Sequence, residues 1–151
     1  MKHKGNIAVL GDGAWGTALA VVLQQNGYDV RVWGRLQDEV DKINQQHENK
    51  RFLPGVVLSE QIRFTADMQA ACQDTEMVVL GTPSQYLRHV LEQFKRFFQP
   101  EKHILVNISK GIEVNTLLRM SELCQEILHP ERYCVLSGPS HAEEVVHHIP
   151  T

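Results

Sequence analysis

Three glycines near the start of the chain could bind a pyrophosphate. Gly11, Gly13 and Gly16 form the pattern G-x-G-x-x-G, and Ala14 and Trp15 are the two variable residues before the last glycine. The pattern follows a short apolar run and precedes an apolar stripe with helical spacing. In that context the first glycine permits a tight turn, the second lets backbone approach the pyrophosphate, and the third lets helix and strand pack closely. The spacing predicts a dinucleotide site, whereas an ordinary strand–helix turn would leave it unexplained.

The end of the predicted second strand, at residues 28–33, carries Gly34 and Arg35. In a dinucleotide-binding fold, an Asp or Glu near this point would hydrogen-bond the ribose hydroxyls. That acid is missing here, and the planar guanidinium of an arginine suits a 2′-phosphate. The residue type favours NADP(H), with NAD(H) as the second candidate. An exposed loop arginine without a function is the alternative.

Two further candidates follow predicted strands. Lys110 comes directly after a buried strand at residues 103–108, and ligands of open α/β sheets bind beyond the carboxyl ends of the strands. Lys110 could therefore hold an oxygen or an anionic group of a substrate beside the nicotinamide, although a solvated loop lysine is the alternative. Ser140 has capping-box spacing to Glu143 and predicts a helix start. Capping and ligand contact could both apply to this serine.

The elements that must position these residues alternate between strands and helices. Strands are predicted at residues 6–10, 28–33, 62–65, 76–81, 103–108 and 133–136. Helices are predicted from Trp15 to the Asn26-Gly27 stop, at 37–46, 66–73 (capped by Asp67), 85–98 (capped by Ser84) and 116–128, and from Ser140 onward. This alternation predicts one α/β domain over residues 1–151. Its sheet should be doubly wound and mainly parallel, of the Rossmann type, in the strand order 3-2-1-4-5-6.

Composition and charge limit the other classes of function. A net charge of −3 and a pI near 6.2 argue against a general nucleic-acid or membrane-surface binder. No apolar run reaches the about 18 residues that a membrane helix needs, so we expect a cytoplasmic protein without membrane insertion. The odd set Cys72, Cys124 and Cys134 lacks C-x-x-C spacing and fits reduced thiols. The adjacent His147 and His148 would point apart on a helix, so we expect no metal site.

Five segments of the chain carry a resemblance to a known family. They are the glycine segment at 11–19, F-L-P-G at 52–55, T-P-S at 82–84, S-K-G-I-E at 109–113 and S-G-P-S-H-A-E-E-V at 137–145. Together they resemble the bacterial NAD(P)-dependent glycerol-3-phosphate dehydrogenases. The resemblance covers the whole chain in order, and the last two segments are its most specific part. It implies reversible reduction of dihydroxyacetone phosphate to sn-glycerol 3-phosphate, the head-group precursor for phospholipid synthesis.

The resemblance also implies a role for individual residues. Lys110 corresponds to a catalytic-site lysine that touches both cofactor and substrate, and Arg35 to a contact of the adenosine ribose or its phosphate. Substrate contacts are implied at Gly138 and Ser140. The remaining cofactor contacts are implied at Gly11, Gly13, Ala14, Trp15, Gly16, Phe52, Pro83 and Ala142.

One departure from the family is large. The family's chains continue into a helical second domain, which supplies a second lysine as general acid/base and much of the phosphate grip. This sequence ends at Thr151, so we expect a cofactor-binding half that is inactive alone and a possible homodimer only at full length. A stand-alone NAD(P)H-binding or sensing module is the alternative. A reductase of a small keto acid is disfavoured by the S-G-P-S-x-A-x-E segment.

Overall fold

A computed structural model of the chain describes residues 4–150, so residues 1–3 and 151 of the expected domain lie outside the described part. Its six strands all pair in parallel, in the order β3-β2-β1-β4-β5-β6. The strands are β1 Asn6–Leu10, β2 Asp29–Trp33, β3 Arg63–Thr65, β4 Met77–Leu80, β5 Ile104–Asn107 and β6 Tyr133–Val135. The helices are α1 Ala14–Gln25, α2 Gln37–Gln46, α3 Met68–Cys72, α4 Ser84–Phe94, α5 Met120–Leu128 and α6 Ala142–Val146. The predicted doubly wound sheet and its strand order are confirmed.

The central strand β1 separates two hydrophobic cores because successive side chains of a strand point to opposite faces. Ile7 and Val9 pack in one core with α1, α2 and α6. Ala8 and Leu10 pack in the other core with α3, α4 and α5. Both faces of the sheet are therefore covered, which leaves the carboxyl edge of the strands for ligands.

The boundaries of α4 and α5 differ from those predicted. Helix α4 begins at Ser84 itself, after Pro83 as N-cap, and gives way to a 3-10 turn at Lys95–Phe97. Helix α5 begins at Met120 rather than at residue 116. The preceding loop is held by the carboxylate of Glu113, which binds Arg88 on α4 and the hydroxyl of Thr116. This long-range pairing competes with helix formation at 116–119, and no local pattern encodes it.

The predicted capping box at Ser140 is wrong. His141 is the N-cap of α6, and the helix has no side-chain cap hydrogen bond. By contrast, the cap predicted at Asp67 is confirmed, because its carboxylate accepts hydrogen bonds from the backbone N–H groups of Gln69 and Ala70. Ser140 is thus released from a capping role and lies before the helix.

No helix among residues 4–150 is both long and apolar enough to cross a membrane. All three cysteines are free thiols, with Cys72 and Cys124 buried and Cys134 exposed. Burial raises the pKa of the Cys72 thiol and of the Cys124 thiol to about 12. These two thiols therefore stay protonated and act as small apolar side chains.

Candidate functional site

The turn between β1 and α1 contains the three glycines, and the structure gives each one a different role. Gly11 has a φ of 131°, and a Cβ there would lie 2.6 Å from the carbonyl oxygen of Gly81. A Cβ on Gly16 would lie 2.3 Å from the carbonyl oxygen of Gly11. A Cβ on Gly13 would meet nothing within 4 Å. Two glycines thus serve the close packing of the turn, and Gly13 borders open space.

The N-terminus of α1 faces that open space. Gly13 is the N-cap, and within the described residues no side chain caps the helix and no acidic residue stands in its first turn. The first N–H groups and the positive end of the helix dipole are therefore available to an anion. Such an arrangement fits a pyrophosphate of a dinucleotide.

One cleft of about 410 Å³ joins this turn to the ends of the neighbouring strands. A ligand in this cleft would contact the turn between β1 and α1, the turn between β4 and α4, the segment after β5 and the start of α6. The predicted site residues along it are Gly13, Ala14, Trp15, Pro83, Lys110, Ser140 and Ala142. The fold therefore brings most of the predicted cofactor residues together with two of the predicted substrate residues.

Lys110 lies at the mouth of this cleft, on the exposed segment after β5. Its Nζ donates a hydrogen bond to the carbonyl oxygen of Gly138, at 3.1 Å. The predicted substrate residue Gly138 is thus next to Lys110. An ammonium at this place can hold or polarise an oxygen of a small substrate.

Hydrogen bonds behind Lys110 determine its position. The Ser109 hydroxyl donates to the carbonyl oxygens of Leu80 and Thr82 at the end of β4. The side chain of Asn107 accepts from the Ser109 N–H at 3.1 Å and donates to the Ser109 carbonyl at 3.2 Å. Sequence reasoning missed Asn107 as a positioning residue, although a polar residue at the end of an apolar strand was a usable signal.

Arg35 and Phe52 do not line this cleft. Arg35 follows β2 by two residues. Phe52 lies in the loop after α2, where the Arg51 guanidinium stacks 4.9 Å from the centre of the Phe52 ring. Phe52 is 39% exposed and Arg35 is exposed. The predicted adenosine contact Arg35 and the predicted cofactor contact Phe52 are therefore separate from the cleft, and Arg35 follows a strand on the other side of β1 from the strand before Lys110.

Asn49 connects Phe52 with the glycine turn, and sequence reasoning did not find it. Its buried side chain donates to the carbonyl oxygen of Asp12 at 2.7 Å and to the Thr17 hydroxyl at 2.9 Å. Its amide oxygen accepts from the Phe52 N–H at 3.3 Å. The loop that carries Phe52 is thus fixed to the glycine turn. A single asparagine in a polar loop gave no pattern that could have revealed this.

Metal ligation has no support in the described part of the chain. Among residues 4–150, no group of three or more His, Cys, Asp or Glu side chains could hold a metal ion. His147 is the C-cap of α6, and its Nδ1 lies 2.6 Å from the carbonyl oxygen of Glu143. That ring nitrogen therefore contacts the backbone of α6 and is not free for a metal ion.

Similar proteins include two bacterial dehydrogenases. The glycerol-3-phosphate dehydrogenase [NAD(P)+] of Carboxydothermus hydrogenoformans is 48% identical over 147 residues, which are 96% of this chain and 44% of the relative. The protein of the same name from Bacillus licheniformis is 48% identical over 148 residues, 96% of this chain and 42% of the relative. This chain thus spans less than half the length of these relatives.

Solved structures extend the comparison. The crystal structure of glycerol-3-phosphate dehydrogenase from Coxiella burnetii matches with a TM-score of 0.91 and 32% identity, over 98% of this chain and 45% of that chain. The enzyme structure from Saccharomyces cerevisiae matches with a TM-score of 0.82 and 27% identity, over 97% and 45%. The sequence pattern described as "NAD-dependent glycerol-3-phosphate dehydrogenase N-terminus" matches residues 6–151. The chain therefore belongs to this dehydrogenase family, in the part that the family places at its N-terminus.

Proposed function

We propose that residues 1–151 are one NAD(P)H-binding domain of a cytoplasmic enzyme that interconverts dihydroxyacetone phosphate and sn-glycerol 3-phosphate by hydride transfer. The product would supply the head group for glycerophospholipid synthesis. The observation that carries this proposal is the single cleft in which the open glycine turn meets Lys110. The family membership of the chain and the names of its relatives support the substrate class.

The residues of the cleft fit a bound dinucleotide. Gly13 leaves room for the pyrophosphate against the N-terminus of α1, and Ala14 and Trp15 continue the same wall. Pro83 and Ala142 line the cleft farther along and would contact the nicotinamide half. When bound, the nicotinamide supplies or accepts the hydride.

Lys110 and its neighbours would hold the substrate. The ammonium lies 3.1 Å from the carbonyl oxygen of Gly138, and Ser140 shares the cleft with it. Lys110 would orient and polarise the ketone oxygen, while Gly138 and Ser140 would contact the rest of the small molecule. Positioning of this kind lowers the barrier because it makes the transfer effectively intramolecular.

We also propose that the cofactor preference is for NADP(H), with NAD(H) accepted. Arg35 and Arg51 both lie close enough to the end of β2 for their charges to act on the Asp12 carboxyl there. Two guanidinium groups at this place suit a 2′-phosphate. The exposure of Arg35 leaves its donors free to reach a ligand.

Binding of NADPH and NADH to Gly13→Val tests the site. Since a Cβ at Gly13 meets no protein atom within 4 Å, the variant should fold, and its side chain should fill the space for the pyrophosphate. We expect calorimetry to detect no binding of either cofactor, with the thermal unfolding midpoint close to that of the unaltered chain. Tight binding by the variant would overturn this placement of the site.

A further inference from the structure

The carboxylate of Asp12 lies beside the end of β2, although Asp12 belongs to the glycine turn. A Cβ on Gly34 would be 2.6 Å from Asp12 Oδ2 and 3.0 Å from Asp12 Cγ. Gly34 itself is buried and is the first residue after β2. The space that a side chain at position 34 would need is therefore taken by the carboxylate from position 12.

This placement bears on the acid that the sequence lacks. In dinucleotide-binding folds an Asp or Glu near the end of β2 accepts hydrogen bonds from the ribose hydroxyls of NAD. Here Gly34 has no side chain and Arg35 is basic. We propose that Asp12 supplies the missing carboxylate, binds the adenosine ribose hydroxyls of NADH, and so opposes Arg35 in cofactor selection. The inference rests on the proposed cofactor site.

The backbone of Asp12 is held rigidly. Its carbonyl oxygen accepts hydrogen bonds from Asn49 Nδ2 at 2.7 Å and from the Thr17 hydroxyl at 3.2 Å. Both donors are buried. The main chain from which the carboxylate extends is thus held in place by the fold, which favours a selective contact.

The surroundings leave the carboxylate able to accept hydrogen bonds. None of the ion pairs within residues 4–150 includes Asp12. Burial raises the pKa of the Asp12 carboxyl above its ordinary value, its own backbone N–H and the charges of Arg51 and Arg35 lower it, and the charge of Glu39 raises it. A partly desolvated carboxylate without a bound cation gains from two hydroxyl donors.

The same carboxylate would disfavour a 2′-phosphate. A phosphate monoester brings further negative charge to a place where Asp12 is already negative, and Arg35 and Arg51 would have to compensate for the repulsion. Acceptance of both cofactors would follow from this balance. Removal of the Asp12 charge should therefore weaken NADH binding without weakening NADPH binding.

The test is the binding of NADH and NADPH to Asp12→Asn, with Glu39→Gln as the matched control. Asparagine keeps the shape but has one acceptor oxygen and no charge. We expect NADH to bind about tenfold more weakly, as loss of a charge-assisted hydrogen bond predicts, and NADPH to bind at least as tightly as before. Glu39 also carries a negative charge near Asp12, but its carboxylate pairs with Lys42 at 3.0 Å, so Glu39→Gln should leave the affinity ratio unchanged.

Equal changes for both cofactors in Asp12→Asn would overturn the inference while leaving the cofactor site intact. The same shift in Glu39→Gln would also overturn it, because the effect would then be one of general charge. If Asp12→Asn does not fold, Asp12→Ala provides the same comparison by removing atoms only. Failure of the unaltered chain to bind either cofactor would overturn the proposed function itself, and the inference with it.

Discussion

The three glycines of the turn between β1 and α1 have different structural roles. The Cβ positions of Gly11 and Gly16 are blocked by backbone oxygens at 2.6 Å and 2.3 Å, whereas Gly13 faces open space. A backbone oxygen cannot move aside as a flexible side chain can. Substitution of Gly11 or Gly16 should therefore lower the stability of the fold, whereas substitution of Gly13 should affect only ligand binding.

Gly16→Ala should destabilise the fold, because its methyl group would overlap the carbonyl oxygen of Gly11. We expect the free energy of unfolding to fall by about 1–3 kcal/mol, the usual cost of overpacking. Urea denaturation measures this, with Gly13→Ala as the control that should change little. Equal stability of Gly16→Ala and the unaltered chain would show that the turn can relax.

Arg35→Glu should weaken NADPH binding much more than NADH binding. A charge-assisted contact to the 2′-phosphate contributes roughly 1.5–3 kcal/mol, which is about one to two decades in affinity. Calorimetry with both cofactors gives the comparison. The control is Arg96→Glu, which makes the same charge change after the C-terminal end of α4. Equal losses for the two cofactors would contradict a 2′-phosphate contact of Arg35.

At the scale of elements, buried polar side chains connect the ends of strands and helices. Asn49 fixes the Phe52 loop to the glycine turn, and Ser109 fixes the segment after β5 to the end of β4. At the opposite edge of the sheet, His103 fixes the start of β5. Its Nδ1 accepts from the Gln99 N–H at 3.0 Å, and its ring lies 5.9 Å and 5.7 Å from those of Phe94 and Phe98.

Stability should therefore decrease at acidic pH through His103. Burial lowers the pKa of its imidazole below the ordinary value of 6.5, and the charge of Lys102 adds to this effect. Because the folded pKa lies below the unfolded one, the contribution is present above about pH 6.5 and is lost as the pH falls through the two pKa values. In urea denaturation, the stability advantage over His103→Phe should shrink from pH 7.5 to pH 5. A constant difference would contradict this.

At the scale of the whole molecule, the described residues bring the glycine turn and Lys110 to one cleft, where we propose that cofactor and substrate bind. The resemblance to the family predicts that the general acid/base lysine belongs to a second domain, and this chain spans less than half the length of its relatives. A cofactor site and a proton donor are both needed for reduction of a ketone. The two would have to come from different parts of the family's longer chain.

A protein made of these 151 residues alone should bind NADPH but reduce dihydroxyacetone phosphate slowly. A positioned general acid typically accelerates the reaction about 10²–10⁴-fold. The rate of this chain should therefore be lower than that of a full-length enzyme by about the same factor. The loss of NADPH absorbance as the cofactor is oxidised gives the rate, and the comparison is between this chain and the full-length Bacillus licheniformis relative. Equal rates would contradict a donor outside these residues.

The sequence by itself determined the strand order, the glycine turn and the position of Lys110 shortly after β5. These follow from local patterns, because apolar periodicity, glycine spacing and strand–helix alternation are all written along the chain. The resemblance to the dehydrogenase family also rests on contiguous segments. These features do not depend on how individual side chains pack.

Only the tertiary structure decided how distant residues meet. The start of α5 depends on Arg88 binding Glu113, and the fixed loop at Phe52 depends on Asn49 reaching Asp12 and Thr17. The carboxylate of Asp12 comes beside Gly34, at the end of β2, only in the folded chain. Each of these contacts joins residues more than twenty positions apart, so its energy depends on the packed fold and leaves no periodic trace along the chain.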